Sequence, residues 1–255
     1  MRYLKEEANL RNLILTILFI TFSFSNENAK DLENEFDSEF SQKQEEVFDP
    51  LSGYNRAMTT FNDKVFLNVL NPISKGYAYI TPEPIRIGIN NFFENIMFPV
   101  RFTNNLLQLK FQNSSEELGR FVINSLWGLG GFLDSATKEL NMKPHKEDFG
   151  QTLAFYGVGD GFPIVLPFLG PSNLRDTFGL LPDSYVSVLS ATGNSDLNYK
   201  IPNNIFEEAG IKTFDTINST SLTLGEYESI RKDALDLYPF LRDIYSQARK
   251  KQIEE

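Results

Sequence analysis

Few residues in this chain could do bond-making chemistry. There is one histidine, His145, no cysteine, and no serine in a Gly-x-Ser-x-Gly setting. A catalytic nucleophile needs a positioned base and a third group to orient that base. His145 lies among Lys143, Pro144 and Lys146, the composition of a solvated loop. Without cysteine there is no thiol catalysis, disulfide or thiolate-held zinc, and one histidine cannot share a metal with another. Glu116-Glu117 and Glu147-Asp148 are adjacent pairs whose side chains diverge on a helix, so they suit capping and dipole roles. Gly157-x-Gly159-x-Gly161 lacks the third-glycine spacing and following helix of a dinucleotide loop, and no Walker lysine follows it. The expectation is a protein that is not an enzyme and carries no metal and no cofactor.

The sequence does offer polar side chains set among large apolar ones. Asn55, Arg56, Asn62, Asn90, Asn104, Asn105 and Asn124 carry two readings. They either line a polar path through apolar surroundings, or cap helices and satisfy buried backbone groups. The chain has 23 Phe and one Trp, and so much apolar ring surface must enter either a core or a lipid phase. A formal charge of −10 and a pI near 4.8 repel phosphate backbones, so no nucleic-acid partner is expected.

The elements that would position these residues lie downstream of an apolar N-terminal run. Arg2, Lys5 and Arg11 precede that run, which extends from Leu13 to Phe24. It has the length of a signal-peptide core and falls short of the roughly 20 residues of a membrane span. Ser23 and Ser25 fit a cleavage site before Asn26. Residues 1–25 are read as a signal peptide, 26–48 as a flexible acidic linker, and 49–255 as one helical domain. Asp49-Pro50 reads as a helix start, and Leu51, Tyr54, Met58, Phe61 and Val65 form an apolar stripe behind it. Pro72, Pro82, Pro84 and Pro99 divide the next stretch of chain into short helices. Ser114 with Glu117 fits a capping box, Asp134 a cap, and Ser172 the cap of a helix ended by Pro182. Two apolar runs, Leu153–Tyr156 and Phe162–Leu166, flank Tyr156, Gly157, Val158, Gly159, Asp160 and Gly161 as a hairpin with a glycine-rich tip. That tip is either a static turn or a movable gate. Two closing helices, near 204–219 and 224–252, complete a mostly α fold with one β-hairpin.

Certain segments, in order and at this spacing, resemble the MlaA (VacJ) family. They are Asp49-Pro50-Leu51-Ser52-Gly53-Tyr54-Asn55-Arg56, Phe61-Asn62, Pro82-Glu83-Pro84-Ile85-Arg86, Asn104-Asn105-Leu106-Leu107-Gln108, Gly119-Arg120-Phe121-Val122-Ile123-Asn124-Ser125, Glu147-Asp148-Phe149-Gly150-Gln151 and Leu166-Pro167-Phe168-Leu169-Gly170-Pro171. The resemblance implies a ring- or disc-like helical domain in the inner leaflet of the outer membrane, facing the periplasm. It further implies non-enzymatic phospholipid transport that maintains lipid asymmetry, beside a trimeric porin and in exchange with a soluble periplasmic lipid carrier. The hairpin tip would gate the channel, and the asparagines, Arg56 and Phe61 would line or support it. Family members are typically lipoproteins, whereas this sequence has no cysteine to acylate. Attachment is then expected from the helical domain or from a retained N-terminal segment. The rival readings are a soluble periplasmic lipid-binding carrier and an envelope scaffold.

Overall fold

A single proline shapes the first third of the fold. Helix α1, Ser52–Val65, runs into a π-helical turn, Phe66–Leu70, and on into α2, Asn71–Ile80. In an α-helix Pro72 would leave the carbonyl of Asn68 unpaired and its ring would collide with it. Widening the turn moves that clash away, and the Asn71 N–H reaches back to Phe66 O instead. The computed structural model describes residues 47–192 and 199–254. The expected signal peptide and nearly all of the linker lie outside the described residues.

Thr81 and Pro82 take extended backbone, as the residue before a proline prefers, and α3 follows over Glu83–Ile96. Next come α4, Phe98–Leu107, with Pro99 in its first turn, and α5, Phe111–Leu126. Then follow α6, Ser135–Leu140, and α7, Phe149–Phe155. Strands β1, Pro163–Leu166, and β2, Gly170–Asn173, pair antiparallel in a register that sets Leu166 opposite Gly170. Helices α8, Leu174–Val186, α9, Ile205–Leu222, α10, Glu226–Asp233, and α11, Leu237–Glu254, complete the chain. The fold is mostly α with one β-hairpin, as expected.

Several boundaries depart from expectation, each for a local reason. Ser114 caps nothing. Helix α5 begins earlier, at Phe111, after Lys110, and Ser114 is buried within it with Oγ donating to Phe102 O at 3.2 Å. Asn173 rather than Ser172 caps α8, its side chain accepting the Asp176 N–H. Pro182 does not end α8, which continues to Val186.

The expected hairpin is displaced. Leu153–Phe155 belong to α7, whose start is a complete capping box: Asp148 accepts from Gln151 N–H while the Gln151 side chain accepts from Asp148 N–H. Its end is a Schellman turn, in which Gly157 N–H bonds Ala154 O at 2.8 Å and Val158 N–H bonds Leu153 O at 3.0 Å. Gly157 stands there with φ +82°, which glycine adopts without a Cβ penalty. Tyr156, Gly157, Val158, Gly159, Asp160 and Gly161 are therefore a helix stop and a connector. The true hairpin tip is Pro167-Phe168-Leu169, between β1 and β2.

The apolar stripe of α1 also faces the other way. Tyr54 and Phe61 are exposed, while the buried face is Asn55, Thr59 and Asp63 at helical spacing. This inversion is general. Among the described residues the buried apolar side chains are Phe93, Val100, Ala136, Val165, Leu189, Pro202 and Tyr238, against twenty-six buried polar or charged ones. Among the same described residues forty large apolar side chains are exposed. Buried polar groups are tolerable only when paired, and most of these are. None of the described helices is long and apolar enough to cross a membrane.

Candidate functional site

An apolar recess opens between the π-turn, the hairpin tip and α9, with a volume of about 620 Å³. Val65, Phe66, Val69, Leu70 and Ile73 form one wall, Val165, Phe168 and Leu169 a second, and Ile217 and Leu241 contribute further apolar surface. The widened turn helps build it, because an extra residue in one turn re-aims the side chains on either side. That size lies within the roughly 300–1,000 Å³ of pockets that enclose a small apolar ligand. Thr59, Asn62, Lys212, Thr213, Thr216 and Tyr227 give the lining its polar atoms. Tyr227 donates its hydroxyl to Asp63 at 3.0 Å. Burial and that carboxylate push the phenol well above its ordinary range, so it stays a donor.

Phe61 and Asn62 both meet the hairpin tip. The Phe61 ring stands edge-on to Phe168 with centroids 5.2 Å apart. Asn62 Nδ2 donates to Leu166 O at 2.9 Å, and its Oδ1 accepts the Phe168 N–H at 2.8 Å. Asn62 thus satisfies two backbone groups of a turn whose Phe168 sits at φ +64°. Asn55 does the same for β1: its Oδ1 accepts Val165 N–H at 2.8 Å and its Nδ2 donates to Pro163 O at 3.0 Å. Nδ2 also lies 3.1 Å from the Tyr238 hydroxyl, which joins α11 to the same point.

The remaining expected path residues are separate from the recess. Arg56 pairs with Asp236 at 2.6 Å on the surface and sits over the Tyr238 ring. Asn104 bridges Asp183 of α8 and Thr152 of α7. Asn105 donates to Arg101 O and His145 O. Asn124 accepts from Ala136 N–H and donates to Asp134. Of the two readings of these amides, satisfaction of buried groups describes what they touch. Only Asn62 does so while also lining the apolar recess. None of the residues from Tyr156 to Gly161 lines it; Asp160 instead pairs with Arg175 at 2.5 Å, tying the connector to α8.

Two charged clusters hold the frame. Glu117, fully buried, accepts from Arg101 Nε at 2.6 Å and from His145 N–H at 2.7 Å. Sequence reasoning placed the His145 ring in solvent, yet its Nε2 lies 2.7 Å from Glu116. Arg249 of α11 forms a two-pronged pair with Asp148, at 2.5 and 2.7 Å, and reaches Asp176 at 2.8 Å. Burial opposes the charge on Asp176, but donors from Arg249, Tyr245 and Arg175 outweigh it and hold the carboxyl below its usual range. Asp183 is the contrary case. Burial raises it to about 6, although Phe149 N–H and Asn104 donate to it. The π-turn, the tip residues Phe168 and Leu169, and Arg249 were all missed from sequence. Pro72 four residues after Asn68 was the available signal for the first, and nothing local marked the others.

Fold and site together define a helical protein with apolar side chains outward, a bonded polar interior and an apolar recess beside a hairpin. The MlaA lipoprotein family model matches residues 47–252, and the chain belongs to that family. It is 31% identical over 209 residues to an uncharacterized protein of Rickettsia felis, covering 82% of this chain and 79% of the relative. It is 37% identical over 147 residues to the Escherichia coli intermembrane phospholipid transport system lipoprotein MlaA, covering 56% of this chain and 58% of that one. A solved structure described as the structural basis for maintenance of bacterial outer membrane lipid asymmetry matches with a TM-score of 0.66 at 29% identity. That match covers 80% of this chain and 98% of the solved one.

Proposed function

We propose that this chain transports phospholipid at the periplasmic face of the outer membrane, drawing stray lipid from the outer leaflet and passing it to a soluble periplasmic carrier beside a porin. The observation that carries this reading is the inverted polarity: among the described residues forty large apolar side chains are exposed while most of the buried side chains are paired polar groups. Such a surface is unfavourable in water and favourable against acyl chains, at about 0.8 kcal/mol per CH₂ buried. Short helices broken by prolines suit an interfacial position better than a spanning one. Relatives named as a phospholipid transport lipoprotein and a fold shared with a protein of lipid asymmetry support the same assignment. The recess would take acyl chain, and the hairpin tip, held by Phe61 and Asn62, would govern entry to it. The glycine connector at Tyr156–Gly161 would then act on the gate through β1, which it leads into.

The test uses cells lacking the protein, complemented with wild type or with Ile73→Asp, which sets a charge in the recess. Wild type should fractionate with the outer membrane after a high-salt wash and keep phospholipid out of the outer leaflet. Ile73→Asp, at matched level, should leave phospholipid there. Recovery of wild type in the soluble periplasm would overturn the reading in favour of a carrier.

A further inference from the structure

No residue of α10, Glu226–Asp233, is buried. What holds this helix in place is a set of side-chain contacts to α1, the π-turn and α2. Arg231 Nε donates to Asp63 at 2.8 Å, and the Tyr227 hydroxyl donates to the same carboxylate oxygen at 3.0 Å. Glu228 accepts from Asn71 Nδ2 at 2.6 Å and from Lys75 Nζ at 3.4 Å. The Tyr227 ring leans on Phe66 with centroids 4.2 Å apart. The Arg231 and Lys75 side chains are 47% and 57% exposed, so their ion pairs are individually weak. A segment that buries so little apolar surface opens at low cost.

The seated position is also imperfect. Asn71 Oδ1 and Glu228 Oε2, the two oxygens left over from the Asn71–Glu228 bond, are buried without a partner. A buried acceptor without a donor is costly, and water would satisfy both once the helix moved. Both ends of α10 are joints. Gly225, just before it, has φ +92° and no atom within 4 Å of where a Cβ would lie. Glycine ranges through more of backbone space than any other residue. No side chain caps the start of the helix, and Ala234 beyond its end is extended. The helix can turn about these two points without unwinding α9 or α11. Through Tyr227 it supplies part of the lining of the apolar recess, together with Phe66. Moving it withdraws that ring and opens the recess at the π-turn.

We propose, building on the phospholipid-transport reading above, that α10 is a hinged lid on the apolar recess, swinging about Gly225 and Ala234 to carry Tyr227 clear when an acyl chain enters or leaves. A lid of this kind excludes water while seated and sets the rate of exchange.

The sequence contains no cysteine, so two introduced thiols can be bridged without competition. Lys75→Cys with Glu228→Cys, in the full chain in detergent micelles, is joined by a short bis-methanethiosulfonate linker that reductant cleaves. Binding of a phospholipid with a fluorescent acyl tail is followed in time, and hydrogen exchange at residues 226–233 reports the helix itself. The bridged protein should bind at least about tenfold more slowly than the same sample after reduction. Lys75→Cys alone, treated with the linker, should bind as wild type does. Unbridged, the α10 amides should exchange at least about tenfold faster than those of α2 and α9, and bridging should slow them. Arg231→Gln drops a tether outside the recess and should speed binding about two- to fivefold. Equal binding rates before and after reduction, or α10 amides as protected as those of α2, overturn the lid. Absence of binding in both states, with exchange at 226–233 still fast and slowed by the bridge, overturns the transport reading while upholding the hinge.

Discussion

The asparagines show how burial converts a small polar side chain into a structural joint. Asn55 is fully buried and pairs with the backbone of β1 on both its oxygen and its nitrogen. Asn62 makes the same two kinds of bond to the hairpin turn, but is only half-buried. Replacing each by Leu keeps the volume and removes the bonds. At Asn55 that leaves Val165 N–H and Pro163 O unpaired beyond reach of water, a loss of about 2–5 kcal/mol. At Asn62 water can replace the amide, and the loss should stay near 1 kcal/mol. Denaturant unfolding in detergent measures both, and equal losses would show that burial does not set the cost. The residue types were legible in the sequence, because an amide amid apolar neighbours must bond something. Their partners were not, since Val165 lies 110 positions from Asn55 and no local pattern encodes such a pairing.

Among elements, α7 was misread as a strand, and its own sequence held the correction. Asp148-x-x-Gln151 is a capping-box spacing, and Gly157 stands where a helix of that length needs its left-handed stop. Two flanking apolar runs outweighed these signals, because short apolar runs do not distinguish strand from helix. Most other helices announced themselves by prolines and caps; the π-turn's signal was Pro72, which marks a helix break as readily as a widened turn. The three glycines of the connector now separate by mechanism. Gly159 has ordinary φ and open space, so Gly159→Ala should change stability by no more than about 0.5 kcal/mol. Gly157 has open space but φ +82°, and Gly157→Ala should cost about 1 kcal/mol for the left-handed backbone. Gly161 has φ +71°, and a Cβ there would lie 2.8 Å from Leu174 Cβ. Gly161→Ala therefore adds overpacking of about 1–3 kcal/mol to the backbone strain. Thermal unfolding of the three variants should rank them Gly161, Gly157, Gly159 in order of loss. A Gly159 variant that loses most would show that the helix does not stop at Gly157.

At the scale of the whole molecule, periodicity revealed stripes but not which way they face. A stripe of apolar residues marks the face that leaves water, and in a water-soluble protein that face is the core. Where lipid is the surroundings, the same stripe turns outward and the polar face turns in, as on α1. The abundance of Phe left both outcomes open, and only the packed arrangement separates them. The apolar exterior should therefore be removable without harm to the fold. Leu126, Trp127 and Leu129, at the end of α5 and in the turn after it, are 69%, 67% and 75% exposed. They face no core, so Leu126→Glu with Trp127→Glu should leave helix content and unfolding in detergent unchanged. Each side chain moved from lipid to water forfeits about 1.5–3 kcal/mol. Partition of the double variant onto phospholipid vesicles should then fall by about a hundredfold or more. Glu117→Leu is the converse: it raises hydrophobicity but strips the part-buried Arg101 of its buried partner at 2.6 Å, and should cost about 3 kcal/mol. Sedimentation with vesicles and unfolding in detergent, run on both variants, should give opposite patterns. A surface variant that unfolds while Glu117→Leu stays folded would mean that the apolar side chains, and not the paired polar ones, hold this protein together.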